Sequence, residues 1–357
     1  MTVATSAAWT PLRLRELSVP NRVWLSPMCQ YSADDSGVPT DWHLIHYGAR
    51  AIGGVGMVMV ECTGVAPDMR TTAQDLGLWS EEQVAGHQRL TSTIRSLGSV
   101  PAVQIGAAGR KSSHGVPWDN SGTRSPVGRE NGGWQPLAPS PIAFASLAVP
   151  TEMTTLDGTR VLEDISRAAR NAHRAGYEAL ELHGASGYLF HEFLSPLSNL
   201  RTDGWGGSLE GRMRFPLEMV TAARTLWPDD KPLIVRLPVS DLIEGGLTVE
   251  EATAVAARLG MVGVDMIDLA SGVLTPEAPR PAEPLHNARY GPQLRTAGVP
   301  VAASGVIREA DHLDEAIPDL VDTVLIGRPM LRDPYWALRI RDTDPRESWP
   351  KQYHRAF

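Results

Sequence analysis

An α/β chain closed into a (β/α)8 TIM barrel is the fold this sequence predicts, and three observations carry the prediction. Eight short runs rich in β-branched residues recur along the chain, each followed by turn residues. Helical patterns separate most of these runs. The runs are apolar throughout instead of alternating, as strands of a parallel sheet buried on both faces are. Eight strand–helix units in 357 residues suit one barrel. An open doubly wound sheet is the competing architecture, but it wants a glycine-rich first turn that this chain lacks.

The elements follow in order. Residues 1–20, with ProLeuArgLeuArgGluLeuSerVal from Pro11, read as a short β-hairpin closing the bottom of the barrel. Strand one is Val23–Met28 and strand two Val55–Glu61, with a helical pattern over His43–Ile52 between them. Ser80, followed by acidic first-turn residues, caps a helix over Glu81–Leu97. Strand three is Val100–Ile105. A long excursion over 107–158, rich in Gly, Pro, Ser and Trp, follows and is expected to form an elaborated lid or hairpin. A helix over Val161–Ala175 leads to strand four, Ala179–His183, and a helix over Leu209–Leu226 to strand five, Leu233–Leu237. Thr248 caps Val249–Leu259, ahead of strand six, Met266–Ala270. Strands seven and eight are Val301–Ser304 and Thr323–Ile326, with a helix over Glu309–Ile317 between them. The whole chain, 1–357, reads as a single domain.

Composition narrows the function. The formal net charge of -8 argues against nucleic acid as a partner. No apolar run reaches the 18 or so residues of a membrane span. The first residues, MetThrValAlaThrSerAlaAla, lack the basic and apolar regions of a signal peptide, so a cytoplasmic location is expected. Two cysteines, Cys29 and Cys62, cannot build a disulfide framework and lack metal-site spacing. Of the ten tryptophans, Trp118, Trp134 and Trp205 stand in loop-like contexts; they either line a planar-ligand pocket or cover the core.

Active sites of this fold form at the C-terminal ends of the strands, so the polar residues that end each apolar run are the candidates. Strand one ends SerProMetCysGlnTyr from Ser26 to Tyr31, and strand two ends Glu61–Cys62–Thr63. Strand three carries Gln104, strand four ends at His183, and strand five carries Arg236. Strands seven and eight end at Ser304–Gly305 and Gly327–Arg328. Glycines with a cation there match the barrel's usual phosphate site. Gln104 and Arg236 can hold the polar edge of a heterocycle, the arginine stabilising negative charge on a reduced ring. A phosphate at one end and a ring edge at the other describe a flavin mononucleotide. Beyond His183, a glycine-flanked turn carries Ser186 and Tyr188, an arrangement suited to binding and protonating a small carbonyl compound.

Several other patterns carry less. GlyAlaAlaGlyArgLysSer, from Gly106, lacks the spacing of a P-loop. His191–Glu192 lacks the second histidine of a zincin helix, and Glu250–Glu251 is a favourable first helical turn. His183 alone reads as a structural histidine, Cys29 alone as a small buried hydrophobe, and Tyr188 can pack over the barrel mouth.

SerProMetCysGlnTyr, GlnIleGlyAlaAlaGlyArgLysSer, the 183–208 stretch, ValArgLeu around Arg236 and IleGlyArg before Pro329 together resemble the old yellow enzyme family. The Cys29 and Tyr31 pairing and the ending TyrHisArgAlaPhe resemble its thermophilic-like bacterial subgroup. The resemblance runs from about Leu12 to Phe357, with only 112–140 idiosyncratic. It implies non-covalent FMN, NAD(P)H as reductant, and reduction of activated C=C bonds in small α,β-unsaturated carbonyl compounds. Residue by residue, it implies that Ser26, Pro27, Met28, Cys29 and Cys62 line the flavin ring. Gln104 and Arg236 would hold its pyrimidine side, and Gly305, Gly327 and Arg328 its phosphate. Tyr31 and His183 would bind the substrate carbonyl, and Tyr188 would donate the proton. Arg355 resembles an arginine that reaches into a neighbouring subunit, which implies a homodimer or homotetramer.

Two positions depart from the family pattern. Ser186 stands where a second histidine or asparagine is usual, and Ala107 where histidine is frequent. A serine hydroxyl donates one hydrogen bond and cannot become cationic. Ordinary enones are therefore expected to be poorer substrates than a bulkier or less polar acceptor. Three alternatives stay open: the same scaffold run as a desaturase or isomerase, a flavin-binding module without turnover, and an FMN-free barrel enzyme.

Overall fold

The computed structural model describes residues 6–119, 124–341 and 344–357. Eight parallel strands close into a barrel: β1 (Val23–Leu25), β2 (Met57–Gly64), β3 (Val100–Gly106), β4 (Ala179–His183), β5 (Leu233–Pro238), β6 (Met266–Ala270), β7 (Val301–Ala303) and β8 (Thr323–Ile326). Each pairs with the next in sequence, and β8 pairs with β1 through Val324↔Val23 to Ile326↔Leu25. The helices cover the outside: α1 (Asp41–Ile52), α2 (Glu81–Ser96), α3 (Thr155–Arg174), the short α4 (Leu189–Leu194), α5 (Leu209–Leu226), α6 (Val249–Met261), α7 (Gly291–Arg295), α8 (Ala310–Ala316) and α9 (Arg328–Arg332). The expected caps are present, with Ser80 Oγ accepting from Gln83 N–H and Thr248 Oγ1 from Glu251 N–H, both at 3.3 Å. Among the described residues, no helix is long and apolar enough to cross a membrane.

Two strand ends differ from expectation by three residues, each for a local reason. β1 stops at Leu25 instead of Met28. Ser26 N–H still reaches Ile326 O at 3.0 Å, but Pro27 has no N–H with which to continue the ladder. β2 runs past Glu61 to Gly64, because an extra residue between Val60 and Thr63 forms a bulge against β3. A bulge re-aims side chains, and here it sits at Glu61–Cys62.

At the N-terminal end, Leu12–Leu14 pairs antiparallel with Leu17–Val19. Leu14 and Val19 of this hairpin are buried against Trp24, Met57, Val100, Ile234 and Met266, so it plugs the barrel floor. Within 107–158, Leu137–Ala138 pairs in parallel with Thr151–Glu152, and His114 forms an antiparallel bridge with Pro126. Both termini of this segment return to the C-terminal rim of the barrel.

Candidate functional site

The C-terminal strand ends open into a cavity of about 520 Å³. One wall is the segment after β1, with Ser26, Pro27, Met28 and Cys29. Glu61, at the β2 bulge, holds this wall from behind: its Oε2 accepts Gln30 N–H at 2.6 Å and its Oε1 accepts Tyr47 O–H at 2.9 Å. Cys62, beside it, faces the cavity. Both cysteines are free, and burial pushes both thiols well above their ordinary pKa, so they stay protonated at neutral pH.

Gln104 of β3 and Arg236 of β5 form the floor, backed by the buried Glu181 of β4 and Asp268 of β6. Gln104 Nε2 donates to Glu181 Oε1 at 2.6 Å. Arg236 Nη1 lies 3.2 Å from Asp268 Oδ2, and its Nη2 donates to Ser304 Oγ at 2.8 Å. Burial, and then the neighbouring Asp268, push the Glu181 carboxyl up to about 8. Arg236 Nε is buried with no partner among the described residues, a donor that a polar ligand at this floor would satisfy.

Past the ends of β7 and β8 the lining is glycine and arginine. Gly305 has φ +127°, and a Cβ there would lie 2.6 Å from the His286 ring. A Cβ on Gly327 would meet Met28 Sδ at 3.3 Å. Arg328 follows, and Arg308 and Arg332 also line the cavity. Backbone unscreened by side chains beside three guanidiniums suits an anionic group. An amide and a guanidinium together with this cradle on one cavity fit a flat heterocycle carrying a phosphate tail.

Above the floor, His183 and Tyr188 meet edge-to-face with ring centroids 4.8 Å apart. His183 Nδ1 accepts Ala185 N–H at 3.4 Å, which puts the ring proton on Nε2. Burial and the Arg236 charge hold the imidazole pKa well below its ordinary value, so this is a neutral donor. Burial likewise holds the Tyr188 phenol protonated. Ser186 also lines the cavity, in the left-handed conformation at φ 59°.

The cavity thus gathers the expected residues, apart from Tyr31 and Arg355. Tyr31 follows the Cys29 wall with φ 51° and stands edge-on to Trp118 at 5.7 Å; its phenol pKa is raised by burial and by nearby Cys29. Arg355 is exposed on the terminal turn Lys351–Ala356. Ala107 is buried and lies outside the cavity lining. Trp118 is exposed, Trp134 stacks with Arg70, and Trp205 packs on Phe193 and Phe215, so none of the three loop tryptophans lines the cavity. Lys111, Arg124, Val273, His286 and Asn287 line it without having been singled out from the sequence. They sit on loops or, for Lys111, a single 3-10 turn, where no periodicity marks them; only the strand-end rule applied to the segments beyond each strand could have raised them.

A family model described as the NADH:flavin oxidoreductase / NADH oxidase family matches residues 8–347. The chain is 37% identical over 354 residues to NADPH dehydrogenase of Geobacillus thermodenitrificans (strain NG80-2), covering 98% of each chain. Morphinone reductase in complex with tetrahydroNAD superposes with a TM-score of 0.77 at 26% identity, over 96% of this chain and 94% of that one. A 2-naphthoyl-CoA reductase superposes with a TM-score of 0.85 at 25% identity over 96% of this chain, which spans about half (53%) of that longer protein. With the flavin-shaped donor set at its strand ends, the chain belongs to the NADH:flavin oxidoreductase / NADH oxidase family, the old yellow enzyme group of FMN-dependent, NAD(P)H-consuming oxidoreductases.

Proposed function

We propose that the enzyme reduces the activated C=C bond of α,β-unsaturated carbonyl compounds, with Tyr188 as proton donor. Bound FMN would supply two-electron hydride chemistry between NAD(P)H and the β-carbon of the alkene. Gln104 and Arg236 would hold the flavin's polar edge, with Gly305, Gly327 and Arg328 on its phosphate and the Ser26–Cys29 wall and Cys62 against its ring. Negative charge gathers on the substrate carbonyl as hydride arrives, and the His183 Nε2–H is a neutral donor for that oxygen. Ser186 would offer a second, shorter donor, and Tyr31, which follows the Cys29 wall without lining the cavity, would add its phenol only by turning inward. The protonated Tyr188 phenol would then deliver its proton to the α-carbon. Arg355 of a partner copy would complete the substrate side in an oligomer.

The observation that carries this reading is the His183–Tyr188 pair, a neutral imidazole donor in edge contact with a protonated phenol on the same cavity. Its test is a visible spectrum of the purified protein and an anaerobic NADPH titration, followed by addition of 2-cyclohexenone. Bleaching by NADPH and recovery of the yellow colour on adding the enone are expected. A flavin that NADPH bleaches but no enone restores would overturn the proposal in favour of desaturation or isomerisation. A yellow protein that NADPH leaves unbleached would point to a binding module.

A further inference from the structure

We propose that Lys111 and His191 are positioning residues that clamp one peptide unit, Ser186–Gly187, from both ends, and through it aim Tyr188 for proton transfer. The inference rests on the proton-donor reading of Tyr188 above. Ser186 and Gly187 are consecutive left-handed residues, at φ 59° and 71°, and the first is not glycine. Such a turn persists only where its surroundings over-determine it.

The surroundings do so at two atoms of a single planar group. The carbonyl of Ser186 accepts from Lys111 Nζ at 2.8 Å, and the N–H of Gly187 donates to His191 Nδ1 at 3.0 Å. A plane gripped at its oxygen and its nitrogen cannot rotate without breaking one bond or the other. Tyr188 is the next residue, and its own N–H closes the turn onto Ala185 O at 3.3 Å. The phenol's place over His183 therefore follows from the plane's orientation.

Both grips are themselves anchored. With Nδ1 accepting, the proton of His191 lies on Nε2 and is donated to Asp241 Oδ1 at 2.7 Å. Asp241 Oδ2 accepts from Ser195 Oγ at 2.6 Å and from Leu247 N–H at 2.7 Å. His191, Ser195 and Asp241 are fully buried, so the chain is shielded from water. On the other side, Lys111 is fully buried, donates also to Val273 O, and sits 3.9 Å from the centre of the Phe144 ring. Gly187 makes the approach possible, since a Cβ there would lie 2.7 Å from Lys111 Nζ. The Lys111 amino group thus ties the turn after β4 to the excursion after β3 and the loop after β6.

The test uses flavin-loaded enzyme, with NADPH and 2-cyclohexenone, and a double-mutant cycle. His191→Phe is expected to lower kcat about tenfold with flavin content and KM held, within the hundredfold that a 1 Å misplacement can cost. His191→Asn, whose amide oxygen can accept Gly187 N–H, should recover part of the loss. In a Tyr188→Phe background, His191→Phe should change kcat by less than about twofold, because the group it positions is gone. Equal penalties in both backgrounds would mean that His191 does not act through Tyr188, and would overturn the clamp. Ser195→Ala, which loosens Asp241 without stranding a charge, covers a His191→Phe that does not fold: a loss in the Tyr188 protein only supports the clamp, and an equal loss in both overturns it. Tyr188→Phe with unchanged turnover would instead overturn the proton-donor reading.

Discussion

Under the proposed reaction, substrate choice would turn on Ser186. It lines the cavity beside His183, in a left-handed conformation that histidine tolerates as well as serine does. Losing one donor to a developing oxyanion typically costs about 2.7–4 kcal/mol. A Ser186→His variant is therefore expected to raise kcat on simple cyclic enones by tenfold or more. Steady-state rates with 2-cyclohexenone, normalised to flavin content, check it. An unchanged rate in a folded, flavin-replete variant would count against donor loss as the limiting defect. Tyr188→Phe should act in the other direction, slowing enone-dependent flavin reoxidation by about a hundredfold, within the range for a positioned acid. Reoxidation at the parental rate would remove the tyrosine from the reaction.

The elements show how far the sequence carried and where it stopped. β4, β6, β8 and α5 fall where the apolar runs and periodicity place them, because each is a regular element buried by its own side chains. Strand-end residues such as Gln104, His183 and Arg236 were legible for the same reason, since a polar group closing an apolar run has a fixed place in a barrel. The bulge at Glu61–Cys62 was not legible, because a one-residue register shift leaves no trace in composition. Lys111 was also hidden: its stretch resembles a failed P-loop, and its partners are carbonyls 75 and 162 residues away. Trp118, Trp134 and Trp205 show the limit from the other side, since loop context alone did not tell a pocket wall from a packing residue. The N-terminal hairpin offers an element-scale prediction. Leu14 is buried on the barrel floor, at the end opposite the cavity. Leu14→Ala should cost about 2–5 kcal/mol of stability, read as a lower Tm, while the flavin spectrum and kcat stay at parental values. A loss of flavin in step with stability would show that floor and mouth are coupled.

At the scale of the whole molecule, burial sets opposing titrations in its carboxyls and its imidazoles. Burial pushes the Glu61, Glu181 and Glu192 carboxyls up to about 8 from an ordinary 4.5. Between those values the folded chain keeps protons that the unfolded chain has lost, so each contribution is complete below 4.5 and lost as pH rises through 8. Burial also pulls His43 and His114 down to about 4, and His46 and His87 to about 3, from an ordinary 6.5. There the unfolded chain binds the extra protons, and stability is lost as pH falls below 6.5. Among these seven groups the two slopes oppose each other between 4.5 and 6.5, and only the carboxyl slope remains above. The part of stability these groups carry is thus expected to be greatest at about pH 6 and to fall toward pH 8, read in a Tm–pH profile. Glu192 isolates the alkaline limb: its Oε1 accepts Arg110 N–H at 2.9 Å, its Oε2 has no partner among the described residues, and the cations facing it are Arg110 and Lys111. Glu192→Gln keeps the shape and removes the proton. The variant's Tm relative to the parent should rise steadily from pH 5 to pH 8.5 in matched ionic strength. A difference that shrinks as pH rises would mean that the two cations outweigh burial, and that Glu192 is ionised in the folded protein.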